Sequence, residues 1–147
     1  KNPELYAKLL AFKSTMDLHT NIFGQMVLAE YLADNDLDEQ IEKIKKMYGE
    51  KAEKMMECMA KYFPEGVTYT KPEGGMFIWA TMPEGLAAVD VMDYAAKRGV
   101  AVCPGDPFYE EDRNVRTMRI NYSNSSDEAI EKGIKILGDA LREPMNK

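Results

Sequence analysis

The sequence predicts an α+β domain, an α/β sandwich of helices packed against a small sheet, preceded by a helical connector. Three observations carry that expectation. From Pro3 to Tyr62 the apolar residues recur at spacings of three and four, the mark of helices with one covered face. Beyond the stop at Phe63-Pro64-Glu65-Gly66 the period falls to two in short segments. From Ser126 onward the helical spacing returns. Helices and strands that are segregated in this way are the pattern of an α+β fold.

In chain order, Asn2 is placed to cap a first helix and Pro3 suits its first position. Leu5, Leu9, Phe12 and Met16 form its stripe. Asp17-Leu18-His19-Thr20-Asn21 then interrupts with turn and capping residues. A second helix carries Ile22, Met26, Ala29 and Leu32 on one face and ends at Ala33-Asp34-Asn35. Asp36 with Glu39 reads as a capping box that opens a longer third helix. Its stripe is Leu37, Ile41, Ile44, Tyr48, Ala52, Met55, Met59 and Tyr62, and the whole stripe is expected to pack against the sheet. Residues 1–34 therefore read as the connector and residues 35–147 as the domain.

Strands are expected at Val67–Tyr69 and Met76–Met82, separated by the turn Lys71-Pro72-Glu73-Gly74-Gly75. Ala87–Arg98 reads as a helix closed by Gly99, and Val100–Cys103 as a short strand ending at Pro104-Gly105. In the strand Arg116–Tyr122, Met118, Ile120 and Tyr122 alternate with Thr117, Arg119 and Asn121. Ser125-Ser126-Asp127-Glu128 reads as a capping box for a last helix with the stripe Ile130, Ile134, Leu137 and Leu141.

Composition removes several function classes. Lys and Arg number 19 against 25 Asp and Glu, a net charge of −6, whereas a grip on a nucleic-acid backbone needs clustered cations. No apolar run approaches the ~20 residues that span a bilayer. The opening KNPELYAKLL has no leader-like apolar stretch, so the expected location is the cytoplasm. There, Cys58 and Cys103 are expected as free thiols. With His19 as the single histidine, neither a His-centred metal site nor a histidine triad is expected. Asp106, Glu110, Glu111 and Asp112 lack the spacing of a calcium loop and read as solvated.

Arg119 stands out on chemistry. It lies on the polar face of a strand whose other face is apolar, and its planar fork can hold a carboxylate through two parallel hydrogen bonds. A solvent-facing ion pair is the commoner fate of such an arginine. The residues alone leave both readings open.

Three segments, in this order, resemble the C-terminal third of fold-type I aminotransferases of class I/II. They are Lys71-Pro72-Glu73-Gly74-Gly75-Met76-Phe77-Ile78-Trp79, Val102-Cys103-Pro104-Gly105-Asp106-Pro107-Phe108-Tyr109 and Thr117-Met118-Arg119-Ile120-Asn121-Tyr122-Ser123. Asp17-Leu18-His19-Thr20-Asn21 fits the branch resembling aminoadipate and kynurenine aminotransferases. The resemblance implies the small C-terminal domain of a pyridoxal 5'-phosphate enzyme that exchanges an amino group between an amino acid and a 2-oxo acid. It implies that Arg119 binds the substrate carboxylate and that Leu18, Phe77 and Phe108 line the side-chain pocket. The Schiff-base lysine and the other cofactor anchors are expected on an N-terminal large domain outside this chain, so no catalytic or cofactor-binding residue is expected within it. On that reading the chain alone is inactive and the complete protein is a homodimer. A second reading, also by resemblance, is the effector-sensing domain of a transcription regulator, and a third is a non-catalytic binding module.

Overall fold

The computed structural model describes residues 2–110 and 115–142, so Glu111 and Asp112 of the predicted acidic loop lie outside the described residues. The chain divides into two compact units, Lys1–Glu42 and Lys43–Lys147.

The first unit holds α1 (Pro3–Met16), α2 (Ile22–Asp34) and the start of α3 (Leu37–Tyr62). The predicted caps form. Asn2 Oδ1 accepts from the Glu4 and Leu5 amides, Asn21 Oδ1 from Gly24, and Asp36 Oδ1 from Asp38 and Glu39. No residue of α1 or α2 is buried, and Leu5, Leu9, Phe12, Met16, Ile22, Met26 and Leu32 all stand exposed.

The second unit is the α+β domain. Its four strands are β1 (Thr68–Tyr69), β2 (Phe77–Thr81), β3 (Cys103–Pro104) and β4 (Thr117–Asn121), all antiparallel, in the order β1-β2-β4-β3. The alternation predicted for β4 buries Met118 and Ile120 in the core, where Ile78 and Ala80 of β2 join them. The same core takes in Ala52, Met55, Cys58 and Met59 of α3, Val91 and Ala95 of α4 (Ala88–Ala96), and Ile130, Ile134, Leu137 and Leu141 of α5 (Asp127–Arg142). Cys58 and Cys103 are free thiols, as expected.

Helix α5 joins the end of α3 through backbone and side chain together. A Cβ on Gly138 would overlap the Tyr62 carbonyl, so only glycine allows this approach. Arg142 donates to that carbonyl at 2.6 Å. Glu131 accepts from the Tyr62 hydroxyl at 2.8 Å and pairs with Lys61 at 3.1 Å and Lys54 at 3.5 Å.

Three expectations need correction. The α3 stripe packs against the core over its C-terminal part: Met55 is 3% exposed, whereas Ile44 is 36% exposed. The third strand is displaced towards Pro104, because the Val100 amide is taken by the Ala95 carbonyl at the close of α4. At α5 the capping hydroxyl belongs to Ser126, which accepts from Ala129, so Glu128 falls one position short of the box partner.

Two outcomes follow from this packing. Met55→Ala should destabilise by ~2–5 kcal/mol and Ile44→Ala by less than ~1 kcal/mol in denaturant titrations, because only the first leaves a cavity. The Tyr62 hydroxyl, then Lys61 and Lys54, lower the Glu131 pKa to about 2 from an ordinary 4.5. A depressed carboxylate stabilises the fold fully above its unfolded pKa and loses that contribution as pH falls through its folded one. Melting temperature should therefore decline between about pH 4.5 and pH 2. Glu131→Gln should flatten that decline and lower the melting temperature at neutral pH.

Candidate functional site

Strand β4 has two faces, and the candidate site lies on the one turned away from the core. Thr117, Arg119 and Asn121 share that face against Met118, Ile120 and Tyr122 of the core, and Thr117 is itself buried, beneath Gly105. Arg119 is opposite Trp79 on β2 and opposite Cys103 on β3, so both neighbouring strands border it. Two residues along β2, on the same face as Trp79, is Phe77.

The guanidinium rests on aromatic surface. Its Cζ lies over the Phe77 ring at 4.2 Å and over the Phe108 ring at 4.9 Å. Phe108 meets Trp79 edge to face, with centroids 5.5 Å apart and planes at 81°. Arg119 Nε is buried without a hydrogen-bond partner, and no carboxylate among the described residues pairs with the side chain. Buried donors are nearly always matched, so an unmatched one on a cation marks unmet binding capacity. Chemically, the arrangement offers a fixed positive fork beside an apolar ring surface.

Two anchors hold this face in place. Phe108 is carried by a short 3-10 turn, Asp106–Phe108, just after β3. Gly105 starts that turn, and its amide donates to the Thr117 carbonyl at 2.8 Å. A Cβ on Gly105 would fall on the Thr117 hydroxyl, so the approach of turn to strand requires glycine. On the other side, the buried Tyr122 hydroxyl donates to the Gly75 carbonyl at 2.9 Å and ties down the turn leading into Phe77. Burial raises the Tyr122 pKa, which keeps this donor protonated.

Of the predicted site residues, Arg119, Phe77 and Phe108 come together. Leu18 lies in the other unit, 79% exposed and with a left-handed φ of 58°. The sequence reading assigned no role to Trp79, although its position two residues after Phe77 places it on the same face. Cys103 was likewise read only as a free thiol.

A lysine's environment decides whether its amine can form an imine with a cofactor such as pyridoxal phosphate. An imine-forming lysine must lose its proton, a change that burial favours. No described lysine is buried, and Lys54 and Lys61 have raised pKa values. The chief causes are the charge of the neighbouring Cys58 for Lys54 and the hydrogen bond with Tyr62 for Lys61, with Glu131 adding to both. Among the described residues, no group of His, Cys, Asp and Glu could hold a metal ion. None of their helices is long and apolar enough to cross a membrane.

Gly105→Ala tests how the site is anchored. The added methyl should push the Phe108 turn off β4 and destabilise the domain by ~1–3 kcal/mol, as overpacking does. Thr117→Ser in the same background, which removes the neighbouring methyl but keeps the hydroxyl, should recover little. Thermal melts of the three proteins check this ordering.

A family profile described as "Aminotransferase class I and II" matches residues 2–137. The aromatic-amino-acid aminotransferase 1 of Thermococcus litoralis is 38% identical over 145 residues, covering 99% of this chain and 35% of that protein. The structure of α-aminoadipate aminotransferase from Thermus thermophilus, solved with N-(5'-phosphopyridoxyl)-L-leucine, superposes with a TM-score of 0.90 at 35% identity, covering 99% of this chain and 37% of that one. A multiple substrate aminotransferase from Thermococcus profundus gives a TM-score of 0.90 at 39% identity, over 99% of this chain and 36% of that one. An uncharacterised HTH-type transcriptional regulator of Bacillus subtilis, YisV, matches 94% of the chain at 28% identity, over 28% of its own length. The chain thus spans about a third of the length of the aminotransferases it matches. By its sequence and its fold together, the chain belongs to the class I and II aminotransferase family.

Proposed function

We propose that this chain is the small-domain end of a longer pyridoxal-phosphate-dependent aminotransferase, in which Arg119 binds the α-carboxylate of an amino acid or a 2-oxo acid. The observation that carries the proposal is the Arg119 guanidinium, set over two phenylalanine rings with Nε unmatched and no carboxylate partner among the described residues. A bound carboxylate would answer that charge with a two-point contact. Phe77 and Phe108 line the side-chain pocket in this reading.

When bound, pyridoxal phosphate supplies the electron sink for amino-group exchange, and the residues that hold it are assigned to a large domain outside this chain. Arg119 contributes binding and orientation: with the carboxylate fixed at two points, the bond to be broken at Cα is held in a constant direction. Residues 1–34 form the connector to that large domain. A helix apolar on several sides, as α2 is, belongs against other protein, and its exposed Ile22, Phe23, Met26 and Leu28 fit that role. We further propose a cytoplasmic homodimer.

The match to a transcriptional regulator supports a second reading, in which the same arginine holds an effector carboxylate without turnover. A basic helix-turn-helix segment ahead of a large domain would favour it.

Arg119→Lys in the full-length protein is the test. The variant keeps the charge but loses the fork, and a missing charge-assisted interaction of ~1.5–3 kcal/mol corresponds to a drop of roughly ten- to hundredfold in kcat/KM. Cofactor absorbance and the melting temperature should be unchanged. If kcat/KM for the amino acid and for the 2-oxo acid both stay within about twofold of wild type, the assignment fails.

A further inference from the structure

We propose that Trp79 is a positioning residue of the Arg119 site, which acts by holding the Phe108 ring against the guanidinium. The inference rests on the reading of Arg119 as the carboxylate binder and adds to it the element that sets where the guanidinium lies.

The backbone that carries Phe108 is tied to β4 at the start of its turn, through the Gly105 amide, and not at Phe108 itself. Phe108 ends a three-residue turn whose hydrogen bonds are local, from Phe108 to Gly105 at 2.9 Å and from Tyr109 to Asp106 at 3.1 Å. Its side chain is 51% exposed, so core packing does not fix the ring. Its aromatic and cation contacts among the described residues are Trp79 and Arg119. An edge-to-face pair has a preferred geometry, and the contact at 5.5 Å and 81° lies within it.

Trp79, by contrast, is rigidly placed. It sits mid-strand in β2, between Ile78 and Ala80, which are both 0% exposed. Its carbonyl accepts from the Thr70 amide at 2.9 Å, and its amide donates to Thr70 Oγ1 at 3.1 Å. On the other side it is the cross-strand partner of Arg119. Strand β2 thus meets the guanidinium at two points: directly through Phe77, and through Trp79 by way of Phe108. Without the indole, no ring among the described residues contacts Phe108, and the guanidinium loses one of its two aromatic contacts.

A double-mutant cycle between Trp79→Leu and Phe108→Leu in the full-length protein tests this, with Arg119→Lys measured alongside. Trp79→Leu should raise KM for both the amino acid and the 2-oxo acid by roughly three- to tenfold, the scale of one aromatic pair, with kcat within about twofold. Trp79→Phe, which retains a ring edge, should recover most of the loss. In the Phe108→Leu background the same substitution should change KM by less than about twofold, because its partner is already absent. If Trp79→Leu leaves KM unchanged while Arg119→Lys lowers kcat/KM, the positioning role is wrong and the carboxylate reading stands. An equal rise in KM with and without the Phe108 ring also overturns the positioning role. If Arg119→Lys has no effect, both fall together. Should Trp79→Leu not fold, Trp79→Met, longer, more adaptable and without a ring, takes its place in the same cycle.

Discussion

Five consecutive cross-strand pairs, from Phe77↔Asn121 to Thr81↔Thr117, join β2 to β4, and the domain depends on that register. Side chains alternate strictly along a strand, so a slip of one residue would send every side chain to the opposite face. Ile78 and Ala80, with Met118 and Ile120, occupy the core and leave little freedom to slip. Because those four are buried, Trp79 and Arg119 must face the other way, side by side. The core thus positions the arginine without touching it.

Among the described residues Arg119 has no carboxylate partner, and aromatic rings hold it instead. Exposed ion pairs gain little in water, since each charge gives up hydration and side-chain freedom to form one. Aromatic faces make a different bargain: they attract the cation through the ring quadrupole while leaving its hydrogen-bonding capacity unused. Phe77 and Phe108 hold Arg119 by contacts that do not themselves neutralise its charge. Elsewhere the domain uses its charges in the ordinary structural way. Glu131 gathers Tyr62, Lys61 and Lys54 where α5 meets α3.

Local chemistry was legible in the sequence, and long-range assembly was legible only through the resemblance. The caps at Asn2, Asn21 and Asp36, the β4 alternation and the α5 stripe each depend on residues within a few positions of one another, and all are present. The α3 stripe was over-read because periodicity shows that a helix has an apolar face but not how much of that face finds a partner. Ile44 and Met55 carry the same signal, yet one is exposed and the other buried. The third strand was misplaced for a similar reason. Val100 and Val102 have strand-like residue types, but the Val100 amide was already committed to closing α4. Likewise, nothing local to Phe108 announces Arg119, eleven positions on. Only the β3–β4 pairing and the Gly105 approach bring them together.

The same geometry limits what the site can select. A guanidinium presents its donors in its own plane and aromatic rings meet it through its faces, so the two kinds of contact need not compete. A carboxylate approaching in the plane can thus add its bonds to a cation that is already oriented, with less conformational freedom left to lose on binding. Lysine at this position would carry the charge on a flexible stem, without a plane for the rings to stack on or a fork to orient. On the proposed reading, arginine is required at position 119 from both sides: by the rings that hold the side chain and by the carboxylate that the fork would bind.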